Sequence, residues 1–312
     1  MSPGVPGRAR RVAVLVNPTS GVGRGARAGA EVSARLRAAE LEVLDVSEET
    51  AEAAHQHARE AVQAGVDVLV VVGGDGMVHL GADVCAGTDC ALGVVAAGTG
   101  NDVARALGLP VHDLRAAAEV IARGVPRPVD LGRHTDREGR AHWFAGVLAA
   151  GFDALVTERA NQLRWPRGRL RYLLAVAREL PVFRPMPYRV TVDGREVQTE
   201  AMLVAVGNGP AYGGGLQICP EARWDDGLLD VLVVRPVSVP ELLRVLPRVF
   251  RGTHLSHPAV QLLRGQQVEV AGPELMTYAD GERFRPLPLT CEAVPAAVRV
   301  VLSGGSRHRA PG

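Results

Sequence analysis

The sequence contains no lysine: all 35 of its basic side chains are arginines, balanced by 34 aspartates and glutamates among 312 residues. The resulting net charge of +1 gives no support for nucleic-acid binding over the whole surface, so we expect no nucleic-acid partner. The lack of lysine also excludes the P-loop motif GxxxxGK[ST], in which a lysine reaches the bound phosphates.

Cysteines and long apolar segments are also scarce. The four cysteines form no CxxC pair and have no metal-ligand spacing with the histidines, which predicts buried or incidental thiols in a reducing cytoplasm. Residues Met1–Arg11 lack the apolar core of a signal peptide. No apolar run approaches the roughly 20 residues that span a bilayer. We therefore expect a cytoplasmic protein.

Length and hydrophobic patterning predict two domains. A chain of 312 residues exceeds the usual size of a single core. In residues 1–128, apolar runs alternate with helical segments, which is typical of parallel βαβ units. In residues 129–312, short strand-like runs and turn signals predict a mainly antiparallel sheet or sandwich, interrupted by helices near Arg169–Leu180 and Pro240–Arg251. The pattern leaves open whether the last strand, Val298–Leu302, returns to the first domain.

Three strands of the first domain end in loops of small and polar residues. The loops are Asn17–Gly25, Gly73–Gly76 and Gly98–Asp102. Glycine lets the backbone approach a ligand that a Cβ would block, and open α/β sheets bind ligands beyond the carboxyl ends of their strands. None of the loops has the spacing of a Rossmann fingerprint. Each loop alone is compatible with a tight strand-to-helix turn, but together they predict a polar cleft for a nucleotide.

The ordered set of motifs resembles the diacylglycerol kinase catalytic-domain family of soluble lipid kinases, which also includes sphingosine kinases. The motifs are VNPTSGVGRG at 16–25, GGDGMVHLG at 73–81, AGTGNDVARALGLP at 97–110, GFDA at 151–154, PEARWDDGLLDV at 220–231 and YADGE at 278–282. The resemblance covers nearly the whole chain. It implies an α/β N-terminal domain of the NAD kinase and phosphofructokinase type, a β-sandwich C-terminal domain and a nucleotide cleft between them.

The resemblance implies an ATP-dependent kinase that phosphorylates a membrane-lipid hydroxyl, with diacylglycerol as the expected acceptor and phosphatidate as product. The implied ATP contacts are Asn17, Pro18, Thr19, Ser20, Gly21, Ser47, Gly73, Gly74, Asp75, Gly76, Gly98, Thr99, Asn101 and Asp102. A structural Mg²⁺ site is implied at the Asp226 carboxylate and the main-chain oxygens of Arg223 and Leu228. Asp280 and Glu282 would act on the acceptor hydroxyl. Two residues apart on an extended segment, they share a face, so the sequence does not divide their roles.

The chain departs from the family pattern directly after the second loop. Family members commonly read GGDGT-(I/V)-NE, whereas this chain has Met77, His79 and Leu80 at the Thr, Asn and Glu positions. These changes remove a hydroxyl, an amide and a carboxylate beside the nucleotide. We expect a subfamily with rearranged contacts, because the Asp226 and Asp280 motifs are intact; the alternative is reduced or lost activity.

A segment of the second domain has the composition of a membrane contact. Residues 159–178 carry six arginines among tryptophan, tyrosine, leucine and valine, which suits an interface with anionic headgroups. A core helix with a solvated arginine face is equally compatible with the pattern. We expect a lipid substrate at the membrane surface and peripheral association with the inner face of the membrane. The oligomeric state is open, with a homodimer as one option.

Two other functions stay open at this point. The acceptor could be another lipid alcohol, such as a sphingoid base or a glycolipid. The chain could also be a catalytically silent regulator that binds lipid or nucleotide, given Met77, His79 and Leu80. An NAD kinase is disfavoured because the second half carries the DDGLLDV and DGE motifs of lipid kinases.

Overall fold

The computed structural model describes residues 10–16, 24–48, 50–163, 165 and 169–304. These residues form two compact units. The first unit comprises the described residues up to Pro128 and those from Val298 onward, and the second comprises Val129–Ala297. Two strands, β5 (Val125–Thr135) and β16 (Leu289–Leu302), contribute residues to both units.

The first unit is an α/β layer built on parallel strands. Along the chain its elements are β1 (Arg11–Val16), α1 (Arg24–Ala38), β2 (Glu42–Asp45), α2 (Ala51–Gln63), β3 (Val68–Gly73), α3 (Asp75–Cys85), β4 (Ala91–Ala96), α4 (Asp102–Ala106) and α5 (Leu114–Arg123). The strand order is β2-β1-β3-β4, followed by the last residues of β16, where Arg299 lies opposite Ala91. The predicted parallel α/β fold of this half is confirmed.

The burial of these strands explains their sequences. Every residue of β3 and β4 is buried, because helices cover both faces of the sheet. A strand buried on both faces has no place for a polar side chain, and both strands are accordingly apolar runs. The segment Gly73–Gly76, predicted as a loop, is partly helical: α3 starts at Asp75, with Gly74 as its N-cap.

The described residues of the second unit form antiparallel strands and three α-helices. Its elements after β5 are β6 (Ala141–Phe144), β7 (Val147–Gly151), α6 (Phe152–Gln162), α7 (Arg169–Glu179), β8 (Met186–Val192), β9 (Arg195–Ala201), β10 (Leu203–Gly207), β11 (Leu229–Val234), α8 (Val239–Val249), a short 3-10 helix (His254–Ser256), β12 (Val260–Gly265), β13 (Gln267–Ala271), β14 (Met276–Ala279), β15 (Glu282–Pro286) and β16. One sheet has the order β12-β11-β10-β7-β14-β15, and the other contains β9-β8-β13 and the first residues of β16.

The two sheets of this unit share one core. Leu148, Val204 and Val231 of the first sheet pack in one cluster with Val190 and Val268 of the second. The predicted antiparallel β-sandwich is confirmed by this arrangement. The patterning missed α6, whose apolar residues are separated by acidic and polar ones.

The helices of both units are short or polar. Among the residues that the structure describes, no helix is long and apolar enough to cross a membrane.

Candidate functional site

Two glycine loops of the first unit touch through their backbones. Gly74 follows β3 and Gly98 follows β4, the adjacent parallel strand. A Cβ built on Gly98 would overlap the Cα of Gly74, so no other residue fits there without a backbone shift. The carboxyl ends of neighbouring parallel strands thus carry a joined, glycine-lined backbone surface of the type that binds ligands in open α/β folds.

Polar side chains fix both loops in place. Asn101 lies in the left-handed region at φ 57° and is 1% exposed. Its side chain accepts a hydrogen bond from the Gly98 N–H at 3.0 Å and donates one to the Gly98 carbonyl at 2.8 Å. Asp75 accepts from the N–H of Val103 at 3.1 Å, which ties the start of α3 to α4. The predicted loops Gly73–Gly76 and Gly98–Asp102 therefore lie next to each other.

Other predicted nucleotide contacts are placed less centrally or not described. Thr99 is exposed, and Asp102 is buried at the first residue of α4. Ser47 accepts a hydrogen bond from the N–H of Val16 at 3.0 Å, so its hydroxyl oxygen lies at the carboxyl end of β1. The predicted contacts Asn17, Pro18, Thr19, Ser20 and Gly21 lie outside the described residues.

The three departures from the family pattern lie in the first turns of α3. The Cγ of Met77 occupies the space where a Cβ of Gly73 would lie, so this methionine packs on the glycine that ends β3. His79 and Leu80 are half-buried. The apolar Met77 thus fills a position beside the loop backbone, and a glycine at position 73 is what makes room for it.

Asp280 of the second unit is a buried and firmly oriented carboxylate. It is 8% exposed and lies at φ 53° in the turn between β14 and β15. Its Oδ1 accepts from the N–H of Gly146 at 2.7 Å and its Oδ2 from the N–H of Ala145 at 2.9 Å. The side chain of Asn161 in α6 donates to the carbonyl of Gly281 at 3.1 Å, which ties the next residue of the turn to a helix.

Glu282 has a different environment. It is exposed at the start of β15, whereas Asp280 is buried, although both belong to the same turn. Two backbone amide donors fix the direction of the Asp280 carboxylate. Of the two predicted catalytic residues, Asp280 is therefore the one with a defined geometry.

The loop from Arg223 to Leu228 presents oxygen atoms. Gly227 lies at φ 68°, and Asp226 accepts from the N–H of Leu228 at 3.1 Å. Within the described residues, the main-chain oxygens of Arg223 and Leu228 accept no hydrogen bond. The described residues also contain no cluster of three or more His, Cys, Asp or Glu side chains that could hold a metal. A cation here would rely on one carboxylate and main-chain oxygens, a donor set that suits Mg²⁺.

An ion pair that the sequence did not reveal holds both ends of this loop. Arg264 of β12 donates to Asp230 through Nε at 2.5 Å and through a second nitrogen at 3.0 Å. It also donates to the carbonyl of Glu221 at 3.1 Å. Burial raises the pKa of Asp230 above its usual range, although the guanidinium of Arg264 opposes that rise.

Three buried side chains connect the loop with the Asp280 turn. Asp130 accepts from the N–H of Gly227 at 2.8 Å. Asn208 donates to the carbonyls of Asp130 at 2.9 Å and Ala145 at 2.8 Å, and Trp224 donates to the same Ala145 carbonyl at 2.7 Å. Since the Ala145 N–H holds Asp280, one hydrogen-bonded network spans the candidate cation loop and the candidate catalytic turn. We call it the Asn208 network.

Sequence reasoning missed the Asn208 network for a definite reason. Its members bond to backbone groups of residues that are 63 to 97 positions away in the chain. No local motif predicts such a contact. The sequence did contain one hint, the pair Asn208-Gly209. Glycine is needed at position 209 because a Cβ there would overlap the ring of Trp224.

The arginine-rich segment has one core face and one open face. In α7, Ala175 and Val176 are buried against α6. Leu170 is 63% exposed, and Trp165, before the helix, is 80% exposed. Arg159 is paired with Glu179 at 2.5 Å. The predicted core helix is present on one face of α7, and contact of the open face with a membrane stays a prediction. Arg164 and Arg167 lie outside the described residues.

Comparisons with known proteins give the same picture for the whole chain. Residues 11–134 match the family model of the diacylglycerol kinase catalytic domain, and residues 146–302 match the YegS C-terminal NAD kinase beta sandwich-like domain. The chain is 42% identical over 292 residues to a diacylglycerol kinase of Mycobacterium tuberculosis (strain ATCC 25618 / H37Rv), which covers 93% of this chain and 94% of that protein.

A second relative and a solved structure extend these matches. The chain is 30% identical over 283 residues to a diacylglycerol kinase of Bacillus subtilis (strain 168), covering 89% and 92% of the two chains. The crystal structure of a diacylglycerol kinase from Bacillus anthracis str. Sterne superposes with a TM-score of 0.76 at 24% identity, covering 95% and 98%. At that identity the likeness concerns the fold. The resemblance seen in the motifs is confirmed.

Proposed function

Because the chain belongs to the diacylglycerol kinase catalytic-domain family of lipid kinases, we propose that it transfers the γ-phosphate of ATP to a membrane-lipid hydroxyl. The acceptor we propose is diacylglycerol and the product phosphatidate. The observation that carries this proposal is the Asp280 turn, in which a buried carboxylate is held by two backbone amides.

Asp280 is the residue to which we assign the acceptor proton. Phosphoryl transfer has a loose transition state, so the protein chiefly positions groups and neutralises charge. The acceptor hydroxyl loses its proton to the Asp280 carboxylate, its oxygen bonds to the γ-phosphorus, and ADP leaves with the electrons of the broken bond. The amides of Ala145 and Gly146 support this role because they hold the carboxylate in a fixed direction. Glu282, exposed beside it, would contact the acceptor.

The nucleotide site is assigned to the joined glycine loops of the first unit. The close approach of Gly74 and Gly98 supports it, since a backbone surface without Cβ atoms lets a ligand come near. Asn17 to Gly21 and Ser47 would complete the contacts at the end of β1. A structural Mg²⁺ would be held by Asp226 and the main-chain oxygens of Arg223 and Leu228. Their free main-chain oxygens support that assignment.

Membrane association follows from the acceptor. A diacylglycerol stays in its bilayer, so the kinase must reach the surface from the aqueous side. The exposed Trp165 and Leu170 support contact with the bilayer near α7, since tryptophan favours the interface. We propose peripheral association with the inner face of the membrane from the cytoplasm.

Incubation of the purified chain with labelled ATP, Mg²⁺ and vesicles that each carry one acceptor tests the proposal. The acceptors are diacylglycerol, a sphingoid base and a monoglucosyl diacylglycerol. We expect labelled phosphatidate as the main product, lost when EDTA is added. A labelled product from another acceptor alone would move the chain to a different lipid alcohol. ATP binding without transfer to any lipid would identify a silent regulator and refute the enzyme assignment.

A further inference from the structure

Helix α8 has one face packed inward and one face open. It contains no fully buried residue. Leu242 packs against the core formed by α6 and α7, while Leu246 and Val249 pack against the cluster around Ile218. The remaining face of the helix is exposed along its whole length.

The open face is apolar along one side and basic along the other. Val239, Leu243 and Pro247 recur at four-residue spacing, which places them one above another on a helix. Val239 is 41% exposed and Leu243 is 55% exposed. Arg244 and Arg248 are also exposed and four residues apart, and each lies one residue after a member of the apolar line. We call these five residues the α8 face.

The arginines of the α8 face are unpaired as far as the described residues show. Within the part of the chain that the structure describes, Arg244 and Arg248 form no ion pair or side-chain hydrogen bond, and neither does the exposed Arg251 just beyond the helix. Elsewhere in this unit arginines are commonly paired, as Arg264 is with Asp230 and Arg133 with Glu292. The acid of α8, Glu241, contacts His257 at 3.2 Å. The charged residues of the α8 face are therefore all cationic.

We propose that the α8 face docks on a bilayer of anionic phospholipid. The inference rests on the proposed function, since a kinase acting on a membrane lipid requires a docking surface. Exposed aliphatic side chains beside unpaired arginines match an interfacial helix, which inserts its apolar line at the acyl boundary and places its cations among the phosphates. Arginine can lay its aliphatic stem over the apolar layer while its guanidinium reaches the headgroups.

Two observations favour a bilayer over a protein partner. Protein interfaces are centred on aromatic, methionine and arginine anchors, and the α8 face offers no aromatic or methionine residue. Phe250, the nearest aromatic residue, packs inward with the Ile218 cluster. The inner side of α8 also shares a core with α7, which exposes Leu170 and Leu173. Exposed apolar residues thus occur on two adjoining helices.

Vesicle co-sedimentation of Arg244→Gln/Arg248→Gln tests the proposal. The vesicles are mixed phosphatidylglycerol–phosphatidylcholine, with pure phosphatidylcholine as the uncharged comparison. Each arginine near an anionic surface contributes about fivefold to binding, so we expect loss of both to weaken binding to the mixed vesicles by about 25-fold. Raising the salt concentration should weaken wild-type binding and narrow the difference. Leu243→Ser should weaken binding without changing the salt dependence.

The matched control is Arg137→Gln/Arg195→Gln, which removes the same charge from two other exposed arginines of this unit that lack ion pairs among the described residues. This control should bind as the wild type does. Equal loss in both double variants, or wild-type binding by Arg244→Gln/Arg248→Gln, would overturn the proposal. So would conversion of a dimer to a monomer by Arg244→Gln/Arg248→Gln with vesicle binding unchanged, because the occupant would then be a second copy.

A parallel activity measurement separates this proposal from the proposed function. With diacylglycerol in detergent micelles, Arg244→Gln/Arg248→Gln should turn over at the wild-type rate, whereas with anionic vesicles its rate should fall along with its binding. If the wild type phosphorylates no lipid but binding depends on the α8 face as described, the docking surface stands and the kinase assignment fails.

Discussion

One asparagine and one aspartate at the candidate sites adopt a backbone conformation that is uncommon for residues other than glycine. Asn101 at φ 57° and Asp280 at φ 53° both lie in the left-handed region. Such conformations cost free energy and persist only where surrounding contacts enforce them. In both residues the side chain itself makes those contacts, with Gly98 and with Ala145 and Gly146. Each of these two residues therefore combines a left-handed backbone with side-chain hydrogen bonds that hold its own loop in place.

At this scale the Asp230–Arg264 pair gives a pH-dependent prediction. Asp230 is 2% exposed, and burial raises its pKa despite the guanidinium. Arg264→Gln should raise that pKa further, because the carboxylate then lacks its charged partner. When a carboxyl has a higher pKa in the folded state than in the unfolded state, its ionisation disfavours folding. The folded state therefore keeps its full stability below the unfolded-state pKa and loses stability as the pH rises through the folded-state pKa. The variant should therefore lose more stability at pH 7 than near pH 5.

We expect a loss of about 2 kcal/mol in the free energy of unfolding at pH 7, reduced from the range for buried pairs because Arg264 is partly exposed. Urea unfolding at the two pH values measures it. Arg235→Gln, at an exposed arginine of the same unit, should leave the unfolding midpoint unchanged. A loss that does not depend on pH would contradict the assignment of the effect to Asp230.

Among the elements, the strand ends of the second unit are tied to one another by the Asn208 network. Asn208 follows β10, Ala145 lies between β6 and β7, and Asp130 belongs to β5. Asn208 is completely buried and donates to the carbonyls of both other residues. The placement of the Asp280 turn therefore depends on strands that are distant in sequence.

Asn208→Ala should lower the free energy of unfolding by about 2–3 kcal/mol, because two buried carbonyls lose a donor. Turnover should fall more than the affinity for ATP, since the amides that orient Asp280 lose support. Urea unfolding and steady-state kinetics measure these effects. Asn161→Ala, which removes a solvent-exposed hydrogen bond to Gly281, should cost well under half as much stability. Equal stability losses in the two variants would argue against the buried network.

Across the whole molecule, the sequence was most informative where burial dictated its pattern. The strands β3 and β4 could be predicted because complete burial requires apolar runs. The start of α3 could not, since Gly74 to Gly76 look like a loop although the helix begins at Asp75. The helix α6 was missed because its apolar positions are interleaved with polar ones. Asn208, Asp130 and Trp224 were missed because their partners are backbone groups far along the chain.

The same contrast applies to the candidate sites. The motifs placed Asp280 and Asp226 in short loops, and the structure gives each loop its hydrogen-bond partners. The roles of these residues, and of the nucleotide loops, remain predictions. Those roles depend on where a nucleotide and a lipid bind, and the order of residues in the chain does not give the positions of bound ligands. The departures at Met77, His79 and Leu80 belong with them, since only turnover reveals their effect.

Formation of labelled phosphatidate by the wild type, Asp280→Asn and Asp193→Asn tests the central claim most directly. Asp193 is a matched control because it also precedes a glycine at positive φ and accepts backbone N–H groups, from Gln266 and Gln267. We predict that the wild type and Asp193→Asn convert diacylglycerol to phosphatidate, while Asp280→Asn is slower by about 10²–10⁴-fold with unchanged ATP affinity. Wild-type rates in Asp280→Asn, or no phosphatidate from the wild type although it binds ATP, would contradict the account.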